Sequence, residues 1–182
     1  MPPMPRRQAR SPARVVDAGA VGVNVEDGSS TPELTATKIG RIKQAVAKAG
    51  VDLWVNARVG VYLRRLKEGD AAYEETITRA RRYREAGADS IFVPAVAEEA
   101  LLARLVRDVG LPLNVLARPG VPPADRLREL GVRRLSAGAG IANAVLNNVH
   151  AMAKAFLAGG RSDTFTAGLL DSPEINQLMR RE

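Results

Sequence analysis

The stretch EAGADSIFVP, Glu85 to Pro94, holds one unit of the fold in miniature. Ahead of it runs Arg79-Ala-Arg-Arg-Tyr-Arg-Glu85, a polar helical segment. Gly87 then closes that segment, because glycine enters the left-handed conformation at a helix end without a Cβ penalty. Ser90-Ile-Phe-Val-Pro94 follows at once, a short apolar run bounded by proline that reads as a buried strand. The same helix-end-to-strand turn recurs in Asp17-Ala-Gly-Ala20 and Glu129-Leu-Gly-Val132, so the chain is built from repeated helix–strand junctions.

Working outward, strands are predicted at Val21–Val25, Val51–Ala57, Ser90–Pro94, Leu111–Leu116 and Val132–Ser136. Helices are predicted at Pro32–Ala49, Ala71–Ala86, Ala97–Val109, Pro123–Leu130, Ile141–Leu157 and Ser172–Arg180. Ile39, Ile42, Val46 and Ala49 fall near the three-four spacing of one helix face. Asp70 is placed to cap the second helix. Strict alternation of strand and helix implies crossover connections and a parallel sheet. Two architectures fit that pattern, a (β/α)8 barrel and a doubly wound open sheet. No G-x-G-x-x-G follows a first strand, which weakens a dinucleotide-binding version. Gly138-Ala-Gly140 opens the long helix and could hold a phosphate on its N–H groups. The commoner role for such glycines is a tight turn from strand into helix.

The sequence has 182 residues, 46% of them apolar and 26% charged, the composition of a globular protein with about one domain. No apolar run reaches the length of a membrane span. There is no cysteine, which excludes disulfides, thiolate metal sites and cysteine nucleophiles. A cytoplasmic location is the default expectation. The net charge of +7 raises the question of a polyanionic partner. Most arginines, however, sit on helices beside Glu or Asp, and aromatics make up only 4%, too few for a base-stacking platform. Neither a nucleic-acid nor a membrane partner is expected. His150, the only histidine, lies inside the long helix, away from any strand end, and is assigned to packing or surface.

In barrels the chemistry collects at the C-terminal ends of the strands. Taken in order, those ends present Glu26-Asp27, Asn56-Ala-Arg58, Pro94, Asn114 and Ser136. A carboxylate there suits a hard divalent cation, directly or through water. The guanidinium of Arg58 suits a carboxylate or phosphonate, because its fork bonds two oxygens at once. Asn114 can donate to a substrate oxygen. Each also has a structural alternative: a cap or salt bridge for Glu26, a pairing of Arg58 with Glu26, and a loop backbone partner for Asn114. Asp27 is expected to brace the loop or a nearby arginine.

Taken together, Val21-Gly-Val-Asn-Val-Glu-Asp-Gly28, Val55-Asn-Ala-Arg58, Arg79 through Pro94, Leu111-Pro-Leu-Asn-Val-Leu116 and Glu129 through Gly138 resemble the isocitrate lyase/phosphoenolpyruvate mutase superfamily. Thr164-Phe-Thr-Ala-Gly-Leu-Leu170 resembles its tail. The resemblance implies an α/β fold of the (β/α)8 TIM-barrel type, of which about five C-terminal βα units are present against the usual eight. It divides the chain into an atypical basic head at 1–14, a partial barrel at 15–160 and a helical tail at 161–182. It implies Mg²⁺-dependent making or breaking of C–C or P–C bonds in small 2-oxo or 2-hydroxy carboxylates, with an enolate-like intermediate stabilised electrostatically. By position, Glu26 matches the glutamate that supports Mg²⁺ and its waters, Arg58 the arginine that contacts substrate, and Asn114 the asparagine near the substrate carboxylate. The family forms tetramers, often by exchanging a late helix, so a homo-oligomer is expected, with the exchange encoded from Gly138 onward.

The sequence also departs from the family. The opening strands that bind Mg²⁺ most directly are not represented, and the chain alone is expected to be inactive. The loop after Glu26-Asp27 lacks Lys-Lys-Cys-Gly-His, which excludes isocitrate and methylisocitrate lyase activity. Val59-Gly60 stands where many relatives follow the arginine with Thr-Asp or similar polar residues. The competing expectations are a non-catalytic oligomerising remnant or pseudo-enzyme, and a phosphate-binding barrel of another family resting on Gly138–Gly140.

Overall fold

In the computed structural model the described residues are 12–165 and 171–180. The first eleven residues of the basic head and Thr166–Leu170 of the tail lie outside them. The described elements are helix α1 (Pro12–Asp17), strand β1 (Gly22–Glu26), α2 (Pro32–Lys48), β2 (Trp54–Arg58), α3 (Gly69–Glu85), β3 (Ser90–Phe92), α4 (Glu99–Asp108), β4 (Leu113–Leu116), α5 (Ala124–Glu129), β5 (Arg134–Ser136), α6 (Gly140–Gly159) and α7 (Ser172–Met179). None of the described helices is long and apolar enough to cross a membrane. The chain divides into two compact units, one reaching to Gly138 and one from Ala139 onward.

In the first unit the five strands are parallel and lie in the order β1-β2-β3-β4-β5. Sequential order with right-handed crossovers places every helix on one face of the sheet. A doubly wound sheet reverses direction and carries helices on both faces. The order therefore decides between the two architectures that the sequence allows: this is an α/β sheet of the TIM-barrel type, five strands of an incomplete barrel.

The alternation along each strand follows from that placement. Val55, Ala57, Ile91, Val93, Leu113 and Val115 face the helices and are buried to 1% exposure or less. They pack with Ile39 of α2, Ala72, Ala80 and Tyr83 of α3, Leu102 and Leu105 of α4, and Leu127 of α5 in one apolar core. The intervening residues, Asn24, Asn56, Ser90 and Asn114, belong to the inner face and are polar, and they bond to one another or to neighbouring strands. Asn56 Nδ2 donates to Asn24 Oδ1 at 2.8 Å, Ser90 Oγ donates to Asn56 Oδ1 at 2.7 Å, and Trp54 Nε1 donates to Ser90 Oγ at 2.8 Å.

Helix ends follow local chemistry. Thr31 caps α2 by accepting from the Leu34 N–H at 3.3 Å, with Pro32 in the first turn, where a missing N–H costs nothing. Asp70 does not cap α3. The helix begins two residues earlier than expected, its N-cap position is Glu68 without a side-chain bond, and the Asp70 carboxylate pairs with Arg104 of α4 at 3.2 Å.

In the second unit α6 ends at Gly160, whose φ of +66° is the left-handed cap that glycine supplies. The Phe156 and Phe165 rings lie 5.6 Å apart. α7 opens on a reciprocal capping box between Asp171 and Glu174. Residues Ile141, Val145, Leu146, Val149 and Leu157 of α6 are exposed.

Candidate active site

The register of the sheet draws the candidate residues into one row. Glu26 pairs with Arg58, Arg58 with Phe92, Phe92 with Asn114, and Asn114 with Arg134. Glu26 and Arg58 end their strands, whereas Asn114 is the second residue of β4. The stagger of neighbouring strands in a barrel explains how these residues share a level. Asn114 is thus not at a strand end, although it lies in the same row as Arg58. Asn56 is not at a strand end either: it sits mid-strand, committed to Asn24 and Ser90. Pro94 lies beyond β3. Ser136 does end β5, and its Oγ donates to Asn114 Oδ1 at 3.1 Å.

Arg58 Nε lies 3.5 Å from Glu26 Oε1, within ion-pair range, but makes no hydrogen bond. Its guanidinium carbon stands 5.4 Å from the Phe92 ring centroid, a cation–π distance. Asn114 is almost fully buried, and its Nδ2 has no partner. Buried donors are normally satisfied. Two buried donors in one row, both without acceptors, describe a place where an oxyanion would be welcome.

Asp27 behaves differently from its neighbour Glu26. It is buried, its Oδ1 accepts from the Gly60 N–H at 2.9 Å, and its Oδ2 accepts from Arg79 Nη1 at 2.8 Å and from the Tyr83 hydroxyl at 3.1 Å. It braces both a loop and an arginine, as the sequence suggested. Arg79 was not identifiable as its partner, because its segment reads as a solvated basic face. The structure buries Arg79 and bonds its Nε to Glu75 Oε1 at 2.7 Å. Burial acts to lower the Arg79 pKa, but the bonds from Asp27 and Glu75 outweigh it and the net shift is upward. Burial, reinforced by the Asp27 charge, drives the Tyr83 phenol far above its usual value. The available signal was the spacing: Ala72, Thr76, Arg79, Ala80 and Tyr83 all lie on the buried side of α3.

Among the described residues no group of three or more His, Cys, Asp or Glu could hold a metal ion. Asp27 is saturated by three donors, which leaves Glu26 as the one carboxylate of the row. Mg²⁺ needs near-octahedral oxygen ligation, so these residues do not by themselves fit an inner-sphere magnesium centre. A cavity of about 680 Å³ lies on the inner face toward the N-terminal ends of the strands, lined by Asn24, Trp54, Ser90, Asn114 and Arg134 among others. It does not include Glu26 or Arg58, and barrel chemistry belongs at the opposite end. Gly138, with φ +57°, makes the turn out of β5, and a Cβ there would stand 3.0 Å from Leu116 Cδ1. Turn and packing account for it without a phosphate.

A parallel sheet in sequential strand order, with Glu26, Arg58, Phe92 and Asn114 in one row, defines the class: an α/β protein of the TIM-barrel type. Residues 4–157 match the family described as phosphoenolpyruvate phosphomutase, and the chain belongs to that family, within the phosphoenolpyruvate mutase/isocitrate lyase superfamily. An uncharacterised Mycobacterium tuberculosis protein is 42% identical over 128 residues, which are 68% of this chain and 46% of that protein. A Burkholderia cenocepacia J2315 protein assigned as a phosphonomutase is 33% identical with a TM-score of 0.73, over 79% of this chain and 60% of that one. A phosphonopyruvate hydrolase, crystallised with oxalate and Mg²⁺, shares the fold with a TM-score of 0.70 at 24% identity, over 93% of this chain and 62% of that one. The chain thus spans about half to three-fifths the length of these relatives.

Proposed function

We propose that the row Glu26–Arg58–Phe92–Asn114 is the oxyanion-binding part of a lyase/mutase site for small 2-oxo or 2-hydroxy carboxylates or phosphonates. The observation that carries this reading is the pair of buried, unpartnered donors, Arg58 Nε and Asn114 Nδ2. Oxygens of a bound carboxylate or phosphonate would give each of them an acceptor, and fixed donors aimed at a developing enolate oxygen stabilise it without reorganisation. Arg58 holds the charge, Phe92 holds the guanidinium plane, and Asn114 supplies a neutral donor. Oxalate imitates such an enolate and is therefore the probe. Glu26 would support Mg²⁺ only through water, with the metal brought in alongside the substrate. No chemical step is assigned to the metal.

The test is calorimetric titration of the protein with oxalate, with and without Mg²⁺, followed by assays of C–C and P–C cleavage on 2-oxo and 2-hydroxy dicarboxylates and phosphonopyruvate. Binding that Arg58→Ala and Asn114→Ala each abolish supports the reading. Oxalate binding unaffected by both variants would sink it. A second reading, a non-catalytic oligomerising protein, draws on the exposed apolar residues of α6. It predicts a defined dimer or tetramer with no oxalate binding. Homo-oligomerisation by exchange of α6 is compatible with either reading.

A further inference from the structure

The buried carboxylate of Asp27 lies next to the proposed anion site without joining it. The residue makes four connections, three of them through the carboxylate. Its own N–H donates to the Arg58 carbonyl at 3.2 Å. Its Oδ1 takes the Gly60 N–H, and its Oδ2 takes Arg79 and Tyr83 from α3. Arg58 is therefore held from both sides, through its own carbonyl and through the backbone two residues on. The grip extends outward, because Arg79 bonds Glu75 and Glu75 bonds Lys67 Nζ at 2.9 Å.

Gly60 is what admits this arrangement. A Cβ there would stand 2.9 Å from Asp27 Oδ1, closer than real Cβ atoms approach, and a tight 3.2 Å from Arg64 Cδ. The Val59-Gly60 pair, which departs from the usual polar residues of the family, is thereby given a role: the glycine lets a carboxylate reach the backbone just past Arg58.

We propose that Asp27, clamped by Arg79 and Tyr83, is a positioning residue that fixes the Arg58 guanidinium between Glu26 and Phe92. The role assumes the anion-binding function proposed above. Arg58 Nε has no hydrogen bond and the side chain meets the Glu26 carboxylate at 3.5 Å and the Phe92 ring at 5.4 Å, so where the guanidinium stands between them is set by the backbone at 58–60, which Asp27 ties to α3. A displacement of about 1 Å in a positioning contact is enough to cost about 100-fold in a site of this kind.

The test uses the full chain and three variants, Asp27→Asn, Tyr83→Phe and Asp89→Asn. Asp89 anchors the opposite end of β2 by accepting from the Val55 N–H at 2.7 Å and from Lys43 at 3.0 Å, so its variant controls for plain loss of stability. The readouts are the Arg58 Nε–Hε resonance, hydrogen exchange of the Gly60 amide, and oxalate affinity in the presence of Mg²⁺. Asp27→Asn is expected to speed Gly60 exchange by about tenfold or more, move the Arg58 resonance, and weaken oxalate by about tenfold or more. Tyr83→Phe is expected to do the same to a smaller degree. Asp89→Asn is expected to lower the unfolding midpoint and leave the Arg58 resonance in place. An Arg58 resonance unmoved in both clamp variants, or moved equally by Asp89→Asn, overturns the proposal. Should Asp27→Asn fail to fold, Tyr83→Phe decides. Should the unaltered protein bind no oxalate, the anion-binding function falls, while the resonance and exchange still decide the clamp.

Discussion

Arg58 Nε stands 3.5 Å from Glu26 Oε1 at the paired ends of neighbouring strands, close enough to feel the carboxylate and without a hydrogen bond to it. Both side chains are partly exposed, at 28% and 38%, so the pair contributes little to stability. What it sets is the charge that an incoming anion meets.

Glu26→Gln follows directly from that geometry. Removing the carboxylate leaves the guanidinium uncompensated, so metal-free oxalate binding should tighten by about 3- to 10-fold. Any strengthening by Mg²⁺ should shrink, because Glu26 is the one carboxylate in the row. Calorimetry with and without Mg²⁺ reads both effects, and weaker metal-free binding in the variant would contradict this account of the pair.

Asn114 separates binding from stability. Its unpartnered Nδ2 is a buried donor, a defect that costs about 1–3 kcal/mol. Asn114→Leu removes the defect along with the acceptor used by Ser136, which sits on the outer strand β5 and is only partly buried. Thermal denaturation should show the variant as stable as the original or more so, while oxalate binding is lost. A large loss of stability would mean that the carboxamide is structural.

Ala95 lies in the turn beyond β3 with φ +69°, in the left-handed region. A residue with a Cβ pays about 1–2 kcal/mol for that conformation. Ala95→Gly should therefore stabilise the protein by about 1 kcal/mol in urea unfolding, offset in part by the greater freedom of glycine in the unfolded chain.

Acid stability should depend on Glu75. Its hydrogen bond from Arg79 holds its pKa below the usual 4.5, and that from Lys67 adds to the effect. A folded-state pKa depressed in this way stabilises the protein above the unfolded value. That contribution fades as pH falls through the folded one. Glu75→Gln should thus flatten the loss of stability below about pH 4.5, and a pH series of urea midpoints measures the slope.

The strands, though not all of their ends, could be found in the sequence because their signals are local. Gly87 and Gly131 close helices, and the apolar alternation of Val21–Val25 and Val51–Ala57 sets the faces. The choice between barrel and doubly wound sheet was not local, since it depends on strand order, which only the pairing reveals. Arg79 was hidden for a related reason. Its neighbours Arg81, Arg82 and Arg84 mark a basic surface, and nothing nearby announces that Asp27, fifty-two residues away, claims it. Asp70 looked like a cap by position, but Arg104 took its carboxylate instead. Asn114 was singled out as lying at a strand end, and its depth in the strand was misjudged.

A run of exposed apolar residues in the first half of α6 makes the last prediction. Ile141, Val145 and Val149 recur every four residues, with Leu146 beside them, and each is more than half exposed, from 52% to 71%. Residues four apart share a helix face, so they form one apolar stripe. His150, Ala153, Lys154 and Leu157 line a further hollow along the same helix. A stripe of this kind on an exposed helix is the usual mark of a protein–protein contact. Val145→Glu together with Val149→Glu places two carboxylates in it, and burying both against a partner would cost more than the lost contacts. Light scattering should show a defined oligomer for the original chain and a monomer for the double variant, with the circular dichroism of the sheet unit unchanged. An oligomer that survives the two glutamates would locate the contact elsewhere.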